Sequence, residues 1–583
     1  MGTDAARDAG QIDSGAPCAE DRARLDRHLA ELADGARRWA GTGLAERAVL
    51  LRRVHDSVGA ASNRWARTAA GLKRLAADSS LVGEEWLSGP YTVLGATSRL
   101  ACSLEALAAG RSPVDGLRFR SAPGGRIALE VLPLDRTDEL LLSGFSVQVW
   151  FPPGVDEKTV RARAGLGAKR LGESDGVGLV LGAGNITAIP PLDVLYEIVA
   201  HNRAVLLKLN PVMAAMMTTY LDALDPLVSA DLLRIVQGGA DVGSHLAHHP
   251  GVSHVHITGS TASHDAVVFG PGPDGARRRA AGEPLLDKPI SSELGGVSPV
   301  IVVPGAWTDR DLRFQAEHVA TQRLHNGGYN CIASQVVVLS RDWPLKALFL
   351  RRLREALDTA PRRAAWYPGS ALRSDTAAQH YPAAERLGPD QDRLLIAVGP
   401  EDAAAIAGTE YFAPVLGVIE VPGRGQEFLD GAVRLANEQL AGTLGANIVI
   451  RPEDRRQLGE GFDRAVADLR YGTVAINAWT ALGFLTAAAP WGAAPGGTLA
   501  DVGSGIGIVH NALLLEDPER TVAQGPFRPF PRSVLAGERA LSPKPPWFVS
   551  SRTAAVTGRL MADFAAKPSL RRLPGIVISA FRG

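Results

Sequence analysis

Cys331 and Glu293 are the residues of this chain whose types and surroundings most directly suggest chemistry. The thiol ends the stretch His325-Asn326-Gly327-Gly328-Tyr329-Asn330-Cys331, and the carboxylate opens Glu293-Leu294-Gly295-Gly296, just before the apolar run Pro299-Val300-Ile301-Val302-Val303. A thiolate can attack a carbonyl and carry the product as a thioester, and a carboxylate can activate the water that releases it. That pairing suits oxidation of an aldehyde. A buried cysteine would be inert and a surface carboxylate commonplace. The loop formers Asn326, Gly327, Gly328 and Asn330 argue instead for a thiol at a turn before a strand at 335–339.

Other candidate sites carry less. Gly270-Pro271-Gly272-Pro273-Asp274-Gly275 matches GxGxxG by letter, but its prolines and the lack of a preceding strand make it a loop. Gly182-Ala183-Gly184-Asn185 follows a strand and precedes a helix, yet lacks a third glycine. No acidic residue stands at the ribose-binding distance, where Lys208 and Asn210 lie. Thr258-Gly259-Ser260 is better placed, since it ends a strand and opens a helix whose N–H groups could face a pyrophosphate. An ordinary Ser/Thr helix cap would look the same. His245, His248, His249, His254 and His256 lack the glutamate of a metalloprotease motif. They are read as a solvated helix end and a strand edge, with no metal.

These groups need a scaffold to hold them, and the chain is long enough for one. Its 583 residues exceed what a single core serves, so two or more domains are expected. Lys+Arg and Asp+Glu are both 62, which leaves no net field to draw nucleic acid or an anionic membrane. Cys18, Cys102 and Cys331 form neither a disulfide framework nor a zinc motif, as expected of a cytoplasmic protein. Acidic residues interrupt any leader-like N-terminal segment, and no run of about 18 apolar residues could span a bilayer.

The hydrophobic pattern is helical to about 110, with Leu44, Ala48, Leu51, Val54 and Val58 on one face after a possible cap at Thr42. Strand-like runs follow at 127–132 and 146–151. Strands at 177–181, 205–209, 233–236 and 252–257 then alternate with helices near 192–199, 212–228 and 241–248. A second strand set begins near 299 and includes 336–339 and 447–450. This alternation predicts two doubly wound α/β domains with sites at the carboxyl ends of their strands. Beyond 520 the prolines and short apolar runs, Val549 and 576–578 among them, predict no independent core.

Read in order, these segments resemble the aldehyde dehydrogenase superfamily from about 40 to 525. Gly182–Asn185 stands at the Pro-Trp-Asn turn of that family, Val205–Asn210 at the strand ending in Lys-Pro, and His256–Ser260 at Phe-Thr-Gly-Ser. Glu293–Gly296 matches intact, Asn326–Cys331 follows the nucleophile loop, and Glu410–Val415 looks like Glu-x-Phe-Gly-Pro-Val. Ala436–Glu438, Gly472–Asn477, Pro490–Gly492 and Gly503–Gly507 follow in family order.

The resemblance implies Cys331 as nucleophile, Glu293 as the base that hydrolyses the thioester, and Asn185 with the Cys331 N–H as oxyanion donors. It implies NAD or NADP as cofactor, held by Lys208 and Glu410 at the riboses, Ser260 with Gly259 at the pyrophosphate, Gly295 nearby, and Phe412 beside the nicotinamide. Residues 1–20 are expected to be disordered, and 21–288 to bind the cofactor. The strands near 127–151 would serve a small oligomerisation β-element. Residues 289–485 would form the catalytic domain, and 486–583 would return to the cofactor domain, add an oligomerisation strand and end in an extra tail. A homodimer or homotetramer acting on a small aldehyde is implied.

Departures accompany these matches. Gly184 replaces the bulky aromatic of the Pro-Trp-Asn turn and is expected to leave space, Tyr329 replaces a glutamine, and Val297 a lysine. The segment 270–282 reads as an insertion, either a disordered loop or a lid. Two other functions stay open: CoA-dependent acylating or acyl-CoA-reducing chemistry, in which the hydrolytic glutamate is commonly missing, and a non-catalytic relative.

Overall fold

The computed structural model describes residues 17–583. The expectation of disorder over 1–20 lies mostly outside these residues, and Ala19 already opens the helix Ala19–Gly41. The next helix, Leu44–Leu72, buries Ala48, Leu51, Val54 and Val58 as the periodicity requires. Its cap is Gly43, because the Thr42 hydroxyl instead donates back to the Arg38 carbonyl of the preceding helix.

The fold is α/β, with two sheets built mainly from parallel strands. One sheet has six strands in the order Gly505–Ile506, Ile290–Leu294, His254–Gly259, Val177–Leu181, Ala204–Lys208 and Leu233–Val236. Val177–Leu181 and Ala204–Lys208 are nearly continuous apolar runs, as expected for strands covered by helices on both faces.

The second sheet has eleven strands. At its centre Thr473–Ile476, Gly445–Val449, Ser298–Val302, Ser334–Ser340, Val415–Val421 and Arg393–Val398 run parallel. Arg520–Gln524 joins Thr473–Ile476 in parallel and Ser146–Phe151 antiparallel, so the strands near 127–151 extend this sheet within the same chain.

Sheet membership moves one expected boundary. The strand carrying Glu293 pairs with His254–Gly259 in the six-stranded sheet, so a division after 288 separates it from the sheet it belongs to.

Three local expectations are also corrected. Residues 270–282 are not an irregular loop, because Gly272–Ala281 is a helix. Pro273 sits in its first turn, where no N–H is needed, and Gly282 ends it in the left-handed conformation. The single helix expected over 212–228 is three short pieces, with Pro226 opening the last. The tail, read as short apolar runs among prolines, is helical at Arg532–Leu535, Ala554–Ala566 and Leu573–Phe581, the last of which includes 576–578. Trp547, Phe548, Met561 and Ile576 of this tail join a buried cluster with Leu87, Trp479 and Trp491. Among the described residues no helix is long and apolar enough to cross a membrane.

Candidate active site

The Cys331 loop is rigid because its backbone leaves few alternatives. Asn326, Gly327 and Gly328 all have positive φ, at 55°, 72° and 82°. A Cβ on Gly328 would lie 3.0 Å from the Ala413 carbonyl oxygen, so glycine is required there. Arg323, buried at the end of the preceding helix, donates to the Gly328 carbonyl at 2.6 Å and the Val415 carbonyl at 3.3 Å. The Asn326 amide donates to the Asn185 and Tyr329 carbonyls at 3.1 and 3.0 Å, and Asn330 closes the turn on the His325 carbonyl. The strand Ser334–Ser340 follows.

Beneath the loop lies a buried charge cluster that sequence reading missed. Glu84 accepts the Asn326 N–H at 3.0 Å and pairs with Arg363, while Lys73 and Glu85 form an ion pair at 2.8 Å. Its signal was the doublet Glu84-Glu85 inside an otherwise apolar turn.

The structure brings Cys331, Glu293, Asn185, Glu410, Gly295 and Phe412 into one region. Cys331 is half-buried. Its thiol and the Glu293 carboxylate lie close enough to interact as a hydrogen-bonding pair. Burial, then the adjacent Glu293 charge, push the thiol well above its ordinary pKa. Burial also raises Glu293 to about 7, against the pull of Cys331 and of the Trp491 indole, whose N–H donates to Oε1 at 3.3 Å. The Asn185 amide donates to the Tyr329 carbonyl at 2.9 Å, two residues before the thiol.

Glu410 is the second raised carboxylate, at about 8, because burial outweighs the attraction of Arg323. Its Oε1 is buried with no hydrogen-bond partner among the described residues. A Cβ on Gly295 would come within 2.0 Å of that atom. Phe412 adopts a positive φ of 45° and packs 5.0 Å from Tyr367 and 6.0 Å from Tyr329 between ring centroids. Tyr329 therefore serves an aromatic cluster and also pairs with the Ser370 hydroxyl at 2.8 Å.

Lys208, Gly259 and Ser260 lie at the carboxyl ends of strands in the six-stranded sheet, where Gly259 pairs with Leu294, between Glu293 and Gly295. Leu181 pairs with Lys208 on one side and Ile257 on the other, so these ends flank the turn at Gly182–Asn185. Burial lowers Lys208 to about 8. Ser260 is exposed and caps the helix Thr261–Phe269, accepting the Ser263 N–H at 3.2 Å. The space expected above Gly184 is occupied, because the Asn210 side chain lies 2.7 Å from where a Cβ would stand.

The histidine reading needs correction as well. His254 and His256 lie on an interior strand and are buried, and His256 is not at an edge. His256, Thr258 and Glu293 share one face, since His256 pairs with Ser291 and Thr258 with Glu293. Asp193 and Glu197, one helical turn apart, cover that face. Asp193 lies 3.5 Å from His256 and 2.9 Å from His510, and the Ser291 hydroxyl joins His256 and His254 at 2.9 and 3.0 Å. Asp193 raises His256 and His256 lowers Glu293, so this network reaches the site electrostatically. Alternation of His254, His256 and Thr258 was its sequence signal. Among the described residues no cluster could hold a metal ion.

Cys331 opens on a cavity lined almost wholly by apolar side chains, among them Ile186, Trp479, Phe484, Trp491 and Trp547.

The α/β fold thus places a looped thiol beside a buried carboxylate, and comparison with known proteins shows what the chain is similar to. Residues 175–369 match the model of the aldehyde dehydrogenase family. A stretch of 181 residues is 33% identical to 3,6-anhydro-alpha-L-galactose dehydrogenase of Streptomyces coelicolor, covering 30% of this chain and 30% of that one. Two solved structures share the fold: aldehyde dehydrogenase C of Pseudomonas syringae, solved with NAD+ and octanal (TM-score 0.58, 18% identity, 88% of this chain and 90% of that chain), and gamma-glutamyl-gamma-aminobutyraldehyde dehydrogenase of Burkholderia cenocepacia (TM-score 0.55, 20% identity, 86% and 88%). Over about a third of its length the chain is thus similar to aldehyde dehydrogenases, at low identity, and it spans less than a third of the length of the anhydrogalactose dehydrogenase it matches.

Proposed function

We propose that this protein oxidises an aldehyde to a carboxylic acid with NAD or NADP. The observation that carries this reading is the Cys331–Glu293 pair, a looped thiol facing a carboxylate raised to about 7 beneath an apolar cavity. At neutral pH Glu293 can take the thiol proton, and the thiolate then adds to the carbonyl carbon to give a thiohemiacetal. Asn185 and the Cys331 N–H are proposed to hold the oxyanion, each such donor being worth about 3–4 kcal/mol.

The residues present fit a nicotinamide cofactor. Glu410 Oε1 offers a buried acceptor that a ribose hydroxyl would satisfy, Gly295 leaves it room, and Lys208 lies at a strand end with no anion beside it among the described residues. Gly259 and Ser260 would present the N–H groups of their helix to the pyrophosphate, and Phe412 would wall the ring. A bound nicotinamide supplies the hydride acceptor. Glu293 then gives the thiol proton up to solvent; once the thioester has formed it draws a proton from water, the hydroxide equivalent releases the acid, and the leaving Cys331 thiolate takes that proton back.

Retention of Glu293 favours hydrolysis over transfer to CoA, and the joint placement of Cys331, Glu293 and Glu410 favours catalysis over a scaffold. The test is to follow reduced-nicotinamide absorbance across an aldehyde panel with each cofactor, with and without CoA. Turnover without CoA is expected. Strict CoA dependence would replace this reading with the acylating one, and no turnover with any aldehyde would overturn it. The domain roles, cytoplasmic location and homo-oligomer are part of the same proposal. The strands near 127–151, already joined to the catalytic sheet in cis, are its proposed oligomerisation element.

A further inference from the structure

The cavity above Cys331 has a wall that the family resemblance does not reach. Trp547 belongs to the tail beyond 525, yet it lines this cavity together with Leu87, Leu482 and Leu485. The same four residues line a second, adjoining cavity, whose other side is formed by Met561 and Phe564 of the tail helix Ala554–Ala566. The outer cavity carries half-buried polar groups, Ser98, Arg99, Thr137 and Asp138, whereas the inner one is almost wholly apolar. Four residues common to both cavities form the partition between them, and the indole is the largest of the four.

The indole is firmly seated. Its ring packs edge-on against Phe145 at 5.3 Å between centroids. The neighbouring Phe548 stacks on His318 and Phe314, both at 5.4 Å, and the Val549 N–H donates to Thr321 at 3.2 Å. Lys544 pairs with Glu317 at 3.0 Å. Phe314, Glu317, His318 and Thr321 all lie on the helix Asp309–Leu324 that leads into the Cys331 loop. The tail is thus fastened to the element that positions the nucleophile.

We propose that Trp547 is a specificity-determining residue that limits the length of the apolar group attached to the reacting carbon. The inner cavity receives an alkyl or aryl body, and the indole closes its far end. A longer hydrocarbon chain would have to displace the indole to enter the outer cavity. The preferred substrates are therefore apolar aldehydes whose body ends at the partition, and the C-terminal tail sets that limit. This inference rests on the aldehyde-oxidising reading for its substrate, but the cavity itself can be probed without turnover.

The experiment uses the full chain and a series of N-alkyl maleimides of increasing chain length, with modification of Cys331 followed by peptide mass spectrometry. Cys18, which is exposed, serves as the internal control. In the wild type the rate at Cys331 relative to Cys18 should drop sharply beyond a certain chain length. Trp547→Ala should raise the long-to-short rate ratio by at least about tenfold, the discrimination that one or two methylenes command in an apolar pocket. Trp547→Phe should fall between, which separates an opened wall from a disordered tail. Equal ratios in all three proteins would overturn the proposal, as would a wild-type rate that does not depend on length. A parallel series of straight-chain aldehydes separates the two readings. Length-dependent labelling without oxidation of any aldehyde would remove the proposed activity and leave the partition. Oxidation whose chain-length preference ignores Trp547→Ala would remove the partition and leave the activity.

Discussion

Gly295 and Glu410 share a space that only one of them can fill: a Cβ at position 295 would stand 2.0 Å from Glu410 Oε1. That oxygen is a buried acceptor with no partner among the described residues, and burial keeps its carboxyl protonated to about pH 8. Gly295→Ala is expected to push the Glu410 side chain aside and to raise the nicotinamide KM more than it lowers kcat. A melting temperature lowered by Gly295→Ala should recover in part when Glu410→Ala removes the clash. If the double variant melts no higher than the single one, the two positions are not in steric conflict.

Glu293 is expected to govern both turnover and its pH dependence. Glu293→Gln removes the base proposed to activate water, so steady-state turnover should drop by about 10²–10⁴-fold. The initial burst of reduced nicotinamide should slow as well, because Glu293 is also the group proposed to take the thiol proton. The ionised form is the base, and with its pKa raised to about 7 the wild-type kcat should climb as pH rises through neutrality. Stability should show the opposite slope. The folded state holds this proton up to about pH 7 while the unfolded chain releases it near its ordinary value, so Glu293 contributes a loss of stability as pH rises between the two. Denaturant titrations of Glu293→Gln should lack that contribution, and an unchanged slope would refute the assignment.

Much of this site was readable because its parts sit where the chain must turn. Glycines at 295, 327 and 328 are needed for close approach or positive φ, and such positions announce themselves by residue type. Strand ends at Leu181, Lys208 and Gly259 were legible from apolar runs that stop abruptly. What fills the space above Gly184 was not, because Asn210 reaches it from a neighbouring strand end, and tertiary proximity has no local signal. The tail was opaque for a related reason. Trp547 and Phe548 lie in an irregular segment, so no period marks them as buried, and only their packing on the helix Asp309–Leu324 reveals the wall they build.

The charge cluster under the Cys331 loop should matter for stability. Glu84 is 4% exposed, and its carboxylate both pairs with Arg363 and accepts the Asn326 N–H. Glu84→Ala leaves a buried guanidinium without that partner, and breaking a buried pair in this way costs about 3–5 kcal/mol. Urea unfolding should show a loss of that order, and the iodoacetamide reactivity of Cys331 should rise as the loop loosens. A loss below about 1 kcal/mol, the range of surface ion pairs, would mean that the cluster is solvated.

The buried histidine face supplies a test of the electrostatics alone. Asp193 raises the pKa of His256 against the opposing effect of burial, and the imidazolium draws Glu293 downward, while the Asp193 carboxylate pushes it up. The groups around His256 are Asp193 and Glu197 from the covering helix, His254 and Thr258 from its own strand, and Ser291 and Glu293 from the next. Replacing His256 by Gln keeps a polar partner for Ser291 and removes the positive charge. The Asp193 charge then acts on Glu293 unopposed, so the rising limb of the kcat–pH profile should move to higher pH. His510, on the far oxygen of Asp193, is expected to move it less when changed to Gln, since it is not among the main influences on Glu293. A shift to lower pH in His256→Gln would mean that His256 is neutral in the folded protein, and the coupling across this sheet face would have to be redrawn.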